Sequence, residues 1–323
     1  MPSKNHWALL AAALATATSA TAAPPDWVTA TLDAPCDVTD IDFSDSRNGF
    51  ATCAFSDVMT SEDGGLNWHV IHTDLQQSLL WAHAESADVL YAARLGFYRS
   101  ADRGQTWTEV GALSGIQNSV FDAHFFDAQR ISLLKGSDLY YSQDGGQNWN
   151  LVYPAEFSVY FSKLNFPTGE TGFATGGISS EAGTHGNVAR TTDGGQNWTL
   201  LPFKYGRIYA ADFFDATHGI VATQDMNLYV TTDGGDTWKV LGATPNGDLL
   251  LDIAHRDATH WYAVSSNGAL YETRDAGTTW STGYQDPDNN PLVSLSIRSG
   301  AVVAGGNEGV VLYENRLFND GFD

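Results

Sequence analysis

The sequence predicts an all-β fold: a seven-bladed β-propeller of four-stranded antiparallel blades, the last blade closed by the N-terminal strand. Three observations carry this expectation. The pattern Ser/Thr-x-Asp-x-Gly-x-x-Trp occurs six times. Its tryptophans, Trp68, Trp107, Trp149, Trp198, Trp238 and Trp280, lie 39, 42, 49, 40 and 42 residues apart. A period near 40 is that of one supersecondary unit repeated around a ring or along a stack. Between the motifs, short runs rich in Val, Tyr, Phe and Trp alternate with Gly- and Asp-containing turns, the signature of strands.

The chain opens on a predicted signal peptide at 1–22. Lys4 supplies the positive start, Trp7 to Ala17 an apolar run too short to span a bilayer, and Ala20-Thr21-Ala22 a small-x-small cleavage site. No later stretch approaches 18 apolar residues, so the expectation is a soluble, exported chain, periplasmic or extracellular. The two cysteines, Cys36 and Cys53, make an even count in an oxidising compartment and point to one disulfide. Two buried thiols are the alternative.

The propeller is expected over 23–314. Blade one should have strands near 38–43, 49–54, 57–61 and 68–72, and blade two near 78–84, 88–93, 96–100 and 107–110. Blade three follows at 119–126, 130–135, 138–142 and 149–153, and blade four at 157–164, 171–176, 187–191 and 198–201. Blade five is read at 207–214, 219–223, 227–231 and 238–241, and blade six at 248–254, 260–265, 269–273 and 280–282. Three further strands, 292–297, 301–304 and 310–313, have no motif behind them. Trp27 to Leu32 resembles Trp238 to Leu241 and has no strands before it. Joined, the two ends make a seventh blade and remove a pair of free sheet edges. Residues 315–323 form a polar tail with Phe318 and Phe322.

Each motif follows one apolar run and leads into another, so it is a hairpin turn. Its aspartate, Asp63, Asp102, Asp144, Asp193, Asp233 or Asp275, can accept the amides of the residues that follow. Its glycine supplies a backbone with φ > 0. Its tryptophan offers apolar surface to a neighbouring unit. A repeated turn spreads six aspartates one per unit, which argues for structure over an acid–base cluster. A second repeat, Phe213-Phe214-Asp215-Ala216-Thr217-His218-Gly219, recurs at Phe125, His255 and, more loosely, Phe43. It makes Asp45, Asp127, Asp215 and Asp257 turn formers as well, and assigns His218 and His260 to turns.

The motif resembles the Asp-box, or BNR repeat, of sialidases, sortilin-type receptors and photosystem II assembly factors. Six copies in register imply a β-propeller in which the box joins the third and fourth strands of each blade. The chain as a whole most resembles the photosystem II stability/assembly factor-like proteins, exported propellers of similar length. That resemblance implies a non-catalytic protein that binds a protein partner through an arginine-containing surface. Arg99 and Arg190 precede boxes as family arginines do, whereas the other boxes have different residues there. The alternative implied by the shared box is a sialidase-like glycoside hydrolase or carbohydrate-binding propeller. Sialidases need three arginines, a tyrosine nucleophile and an acid pair, and no Arg-Ile-Pro segment stands near the N-terminus.

The net charge is −22, or −23 once Lys4 leaves with the signal peptide. Such a balance repels nucleic acid and anionic lipid and favours a basic partner or plain solubility. Boxes and first-to-second-strand turns should share one face of the propeller. The opposite face should hold the candidate binding residues Arg94, Lys135, His185, Lys204, Tyr205, Arg207 and Tyr284, with the insertion 176–187 and the acidic loop 284–291. No cofactor or metal is expected. Asp286-Pro287-Asp288-Asn289-Asn290 begins like a calcium loop but lacks the Gly and Glu that follow.

Overall fold

The structure, a computed structural model, describes residues 27–111, 119–155, 159–180, 183–298 and 301–314. The expected signal peptide and the C-terminal tail lie outside these residues. Among the described residues no helix is long and apolar enough to cross a membrane.

Seven antiparallel sheets follow one another along the chain. Blade one has strands Val38–Phe43, Gly49–Cys53, Asp57–Ser61 and Asn67–His72. The next five blades repeat this plan, the sixth with Leu250–His255, Trp261–Ser265, Ala269–Thr273 and Ser281–Gln285. Blade seven combines Leu292–Arg298, Ala301–Gly306 and Val311–Glu314 with Trp27–Thr29. Trp27 pairs with Glu314, Val28 with Tyr313 and Thr29 with Leu312.

The N-terminal closure is therefore present, over a shorter stretch than 27–32. Ala30 still donates to the Val311 carbonyl, but Thr31 donates to Leu66 of blade one. Thr31–Leu32 then runs parallel to Asn67–Trp68 and gives blade one a fifth strand. Strand twist turns the outer strands away from the propeller axis, so the end of one outer strand approaches the start of the next.

The core lies in the seams between blades. In Gly49–Cys53, Ile131–Lys135, Gly219–Thr223 and Trp261–Ser265 every residue is buried. Strands buried on both faces must be sandwiched between neighbouring sheets. Phe173 of blade four stacks on Phe213 of blade five, ring centroids 3.6 Å apart. Box tryptophans reach back one blade: Trp107 lies 6.0 Å from Phe50 and Trp149 5.9 Å from Phe97. Cys36 and Cys53 form a disulfide, their Cα atoms 5.5 Å apart and both side chains buried.

One expected loop is a strand pair and another begins inside a strand. The insertion at 176–187 continues the hairpin of blade four, whose strands Gly172–Ser180 and Gly183–Thr191 pair residue for residue from Gly172↔Thr191 to Ser180↔Gly183. Tyr284 belongs to the outer strand Ser281–Gln285 and pairs with Leu270, so the sheet runs further than the box period suggests.

Candidate functional site

The boxes are turns, and Asp193 shows how they are built. Its Oδ1 accepts the Thr191 hydroxyl at 2.9 Å and the amides of Gln196 and Asn197 at 3.1 and 2.9 Å, while Oδ2 takes the Asn197 side-chain amide at 2.7 Å. The Thr191 hydroxyl accepts the Gly195 amide at 3.0 Å, and the Trp198 indole donates to the Gly195 carbonyl at 3.0 Å. Gly194 and Gly195 stand at φ 70° and 86°, which glycine adopts without a steric penalty. Asp63, Asp102, Asp144, Asp233 and Asp275 accept the equivalent amide at 2.8 to 3.0 Å. Hydrogen bonds from Thr106, Thr237 and Thr279 hold the carboxyls of Asp102, Asp233 and Asp275 below the usual range.

Asp45, Asp127, Asp215 and Asp257 cap the first-to-second-strand turns in the same manner. These turns share a face with the boxes: the Gly64, Gly145 and Gly234 amides donate to the carbonyls of Arg47, Gln129 and Thr217. His218 pairs with Asp215 at 2.8 Å and His260 with Glu272 at 2.7 Å. Among the described residues no group of three or more His, Cys, Asp or Glu side chains could hold a metal ion.

A second set of carboxylates was hidden in the sequence. The innermost strands leave one edge unpaired toward the axis, and buried amides there need acceptors. Asp40 accepts the Ala82 amide at 3.0 Å, Asp42 that of Ala84 at 3.0 Å and Asp122 that of Leu164 at 2.7 Å. Asp212 takes His255 at 2.7 Å and Asp252 takes Leu295 at 2.9 Å. Each bond ties one blade to the next. The Ser294 hydroxyl donates to Asp40 at 2.8 Å and adds a tie from blade seven to blade one, while Lys163 crosses to Asp252. Asp40, His83, Asp122, His124, Lys163 and Asp252 line a central cavity of about 470 Å³, in whose described lining no arginine or tyrosine stands. Burial pushes the carboxyl of Asp40 up to about 7 and that of Asp122 to about 6, against the lowering effect of their hydrogen bonds.

The candidate binding residues separate into several places. Lys135 is fully buried and its ammonium donates to the Leu95 carbonyl at 2.9 Å, so its charge is turned inward. Tyr284 is half-buried in its sheet, its hydroxyl 3.4 Å from Asp286. His185 lies on the blade-four hairpin opposite Ile178, and Arg94 in the blade-two turn that precedes Phe97–Ser100. Lys204, Tyr205 and Arg207 share one connection but not one site. Lys204 lies over the Tyr205 ring at 5.9 Å, and that ring stacks on Tyr229 at 4.1 Å. The Tyr205 hydroxyl donates to the Trp238 carbonyl at 3.3 Å. Blade five's box is thus beside this segment and not on the opposite face, because strand twist carries the start of the outer strand to the neighbouring seam. Arg207 instead lies over Tyr209 at 4.8 Å and Tyr160 at 5.8 Å. The hairpin stem comes up against it: a Cβ on Gly177, at φ 154°, would stand 3.0 Å from the Arg207 Cα.

Charge is sorted by position. Arg47 donates to the Glu62 carbonyl, and Arg103, Arg130, Arg256 and Arg274 pair with carboxylates. Arg190 donates to the Gly234 carbonyl at 2.9 Å and pairs with Asp236 at 3.2 Å, and Arg99 donates to the Tyr91 hydroxyl at 3.2 Å. The two arginines that precede boxes are therefore held within the fold. Among the described side chains, Arg94, Lys204, Arg207 and Lys239 make no ion pair or side-chain hydrogen bond. Three of these four are candidate binding residues.

The BNR/Asp-box repeat model matches residues 140–151, the box of blade three. The photosystem II assembly lipoprotein Ycf48 of Synechococcus sp. (strain CC9902) is 32% identical over 104 residues. That match spans 30% of this chain and 29% of the relative. The solved structure of YCF48 bound to D1 peptide superposes with a TM-score of 0.71 at 17% identity, covering 90% of this chain and 96% of that one. YCF48 from Cyanidioschyzon merolae gives 0.72 at 19% identity, covering 90% and 98%. U3-55K gives 0.69 at 11% identity, covering 89% and 98%. At these identities the likenesses show the fold, and a propeller as different as U3-55K scores nearly as well as the others. Shape alone does not select a partner.

Proposed function

We propose that this chain is an exported, non-catalytic β-propeller that binds a protein partner at blades four and five, with a signal peptide removed after Ala22. The observation that carries this reading is the sorting of its cations. In a chain of net charge −22, Arg207 is a guanidinium with neither a carboxylate nor a hydrogen-bond partner among the described residues, and it lies over two tyrosine rings. Lys204 lies in the same connection. Cation–π contacts fix the position of a guanidinium while leaving its N–H donors free for a planar anion. An acidic segment of a partner fits this site, and the remaining surface repels it. The likeness to a YCF48 bound to D1 peptide supports a peptide-binding role for this scaffold. The partial sequence match to a photosystem II assembly lipoprotein supports assembly-factor-like work on an exported or membrane protein. Replacing Lys204 and Arg207 together by Ala tests the reading. Partner capture should fall at least tenfold with an unchanged melting temperature, and undiminished capture would overturn it.

A further inference from the structure

Blade one fills its outer edge with the chain's own backbone. Thr31 donates to the Leu66 carbonyl at 2.9 Å and Asp33 to the Trp68 carbonyl at 3.2 Å. Thr31–Leu32 thereby adds a parallel strand to Asn67–His72. The Asp33 carboxylate finishes the contact: it accepts the Val70 amide at 2.8 Å and pairs with His69. Val70 is only 8% exposed as a result.

The same box positions in blade five are Asp236, Thr237, Trp238, Lys239 and Val240. There Lys239–Ala243 is the terminal strand of its sheet. Between the turn that leads into this strand, Asp236–Trp238, and the incoming connection is a cavity of about 410 Å³, walled also by Phe203, Lys204 and Tyr205. Among the described residues no donor reaches the Asp236 carbonyl, the equivalent of Leu66, and the Trp238 carbonyl receives only the Tyr205 hydroxyl at 3.3 Å. Lys239, at the position of His69, pairs with no carboxylate. Val240, at the position of Val70, is 62% exposed.

We infer that the cavity between blades four and five takes an extended peptide segment of a partner, which runs parallel alongside Thr237–Trp238, at the start of the outer strand Lys239–Ala243, and presents an apolar residue followed by an acidic one. Blade one shows the geometry with the chain's own Thr31-Leu32-Asp33. The peptide amides would donate to the Asp236 and Trp238 carbonyls, the second displacing the Tyr205 hydroxyl. The apolar side chain would lie against Phe203 and Trp238. The acidic side chain would accept the Val240 amide and pair with Lys239, with Lys204 adding positive potential. Main-chain bonds supply affinity in such strand addition, and the alternate side chains supply specificity. The inference rests on the reading that this chain binds a protein partner, but it names a contact distinct from Arg207.

The test uses the mature protein and a synthetic peptide, acetyl-Ser-Ala-Thr-Leu-Asp-Ala-Ser-amide, followed by tryptophan fluorescence and by amide chemical shifts of residues 236–243. Saturable binding is expected, with shifts centred on Val240. Replacing the peptide Asp by Asn, or Lys239 by Glu, should weaken it at least tenfold. Val240→Pro removes the amide donor on the outer edge and should abolish it, with Lys239→Glu as the safeguard if the proline variant misfolds. Arg130→Ala, at a guanidinium already paired with Asp127 on the box face, should leave peptide binding intact. No saturable binding at millimolar peptide, or equal binding by wild type and Lys239→Glu, would overturn the inference. Loss with Arg207→Ala but not with Lys239→Glu would also overturn it, while leaving the Arg207 cluster as the partner site.

Discussion

The Asp40 carboxylate of blade one accepts the amide of Ala82 in blade two at 3.0 Å, 42 residues further along the chain. With Asp122–Leu164, Asp212–His255 and Asp252–Leu295 it ties blades across four of the seven seams around the axis. These bonds satisfy amides that no further strand can reach.

These ties make stability depend on pH. Asp40 and Asp122 have folded-state values of about 7 and about 6, above the ordinary 3.8 of the unfolded chain. Between those limits the folded state binds more protons than the unfolded one, so their effect on stability is most favourable below pH 4 and declines as pH rises toward 7. The box carboxyls of Asp102, Asp233 and Asp275 and that of Asp127, held at about 2, work in the other direction: their stabilisation is lost as pH falls below 4. Stability should therefore peak near pH 4 and be lower at pH 8 by on the order of a few kcal/mol. Thermal melts from pH 3 to 9 measure this, and Asp40→Asn should flatten the fall between pH 4 and 7.

Removing residues 23–30 should unpair Val311–Glu314 and expose Tyr262, whose ring lies 5.9 Å from Trp27. A loss of several degrees in melting temperature is expected. Unchanged stability would show that closure by this strand is energetically idle.

Thiol labelling of the protein, denatured but not reduced, should find no free cysteine. The bridge spans 17 positions in sequence, and its removal should cost roughly 3 kcal/mol in the chain-entropy model. Cys36→Ser with Cys53→Ser, followed by denaturant unfolding, measures this.

Asp193→Ala should leave the exposed Gln196 and Asn197 amides to water in place of their acceptor and destabilise by roughly 0.5–1.5 kcal/mol. It should leave partner binding unchanged, since Asp193 belongs to blade four's own turn. Weaker binding at unchanged stability would place the partner on the boxes.

The boxes were legible because a turn of this kind demands Asp and Gly at fixed positions and leaves a period in the sequence. The blade count and the N-terminal closure followed from that period and from the Trp27 run. The blade-to-blade ties were not legible: Asp40, Asp122 and Asp252 read as the polar half of alternating strands, and their acceptor role needs the neighbouring blade. Lys135 was misleading because a lysine that ends a strand normally faces water, and here it meets the Leu95 carbonyl. The seam between Tyr205 and Trp238 depends on strand twist, which a linear map of loops onto two faces omits.

Quantitative capture from the exported protein fraction tests the binding assignment most directly. It should compare wild type, Lys204→Ala with Arg207→Ala, and Arg130→Ala, whose guanidinium is already paired with Asp127 on the box face. Wild type and Arg130→Ala should retain the same acidic protein at low salt and release it as salt screens the charges over about 10 Å at 0.1 M, while the double variant should not retain it. Equal capture by all three proteins, or capture insensitive to salt, would contradict a partner site built on the unpaired cations of blades four and five.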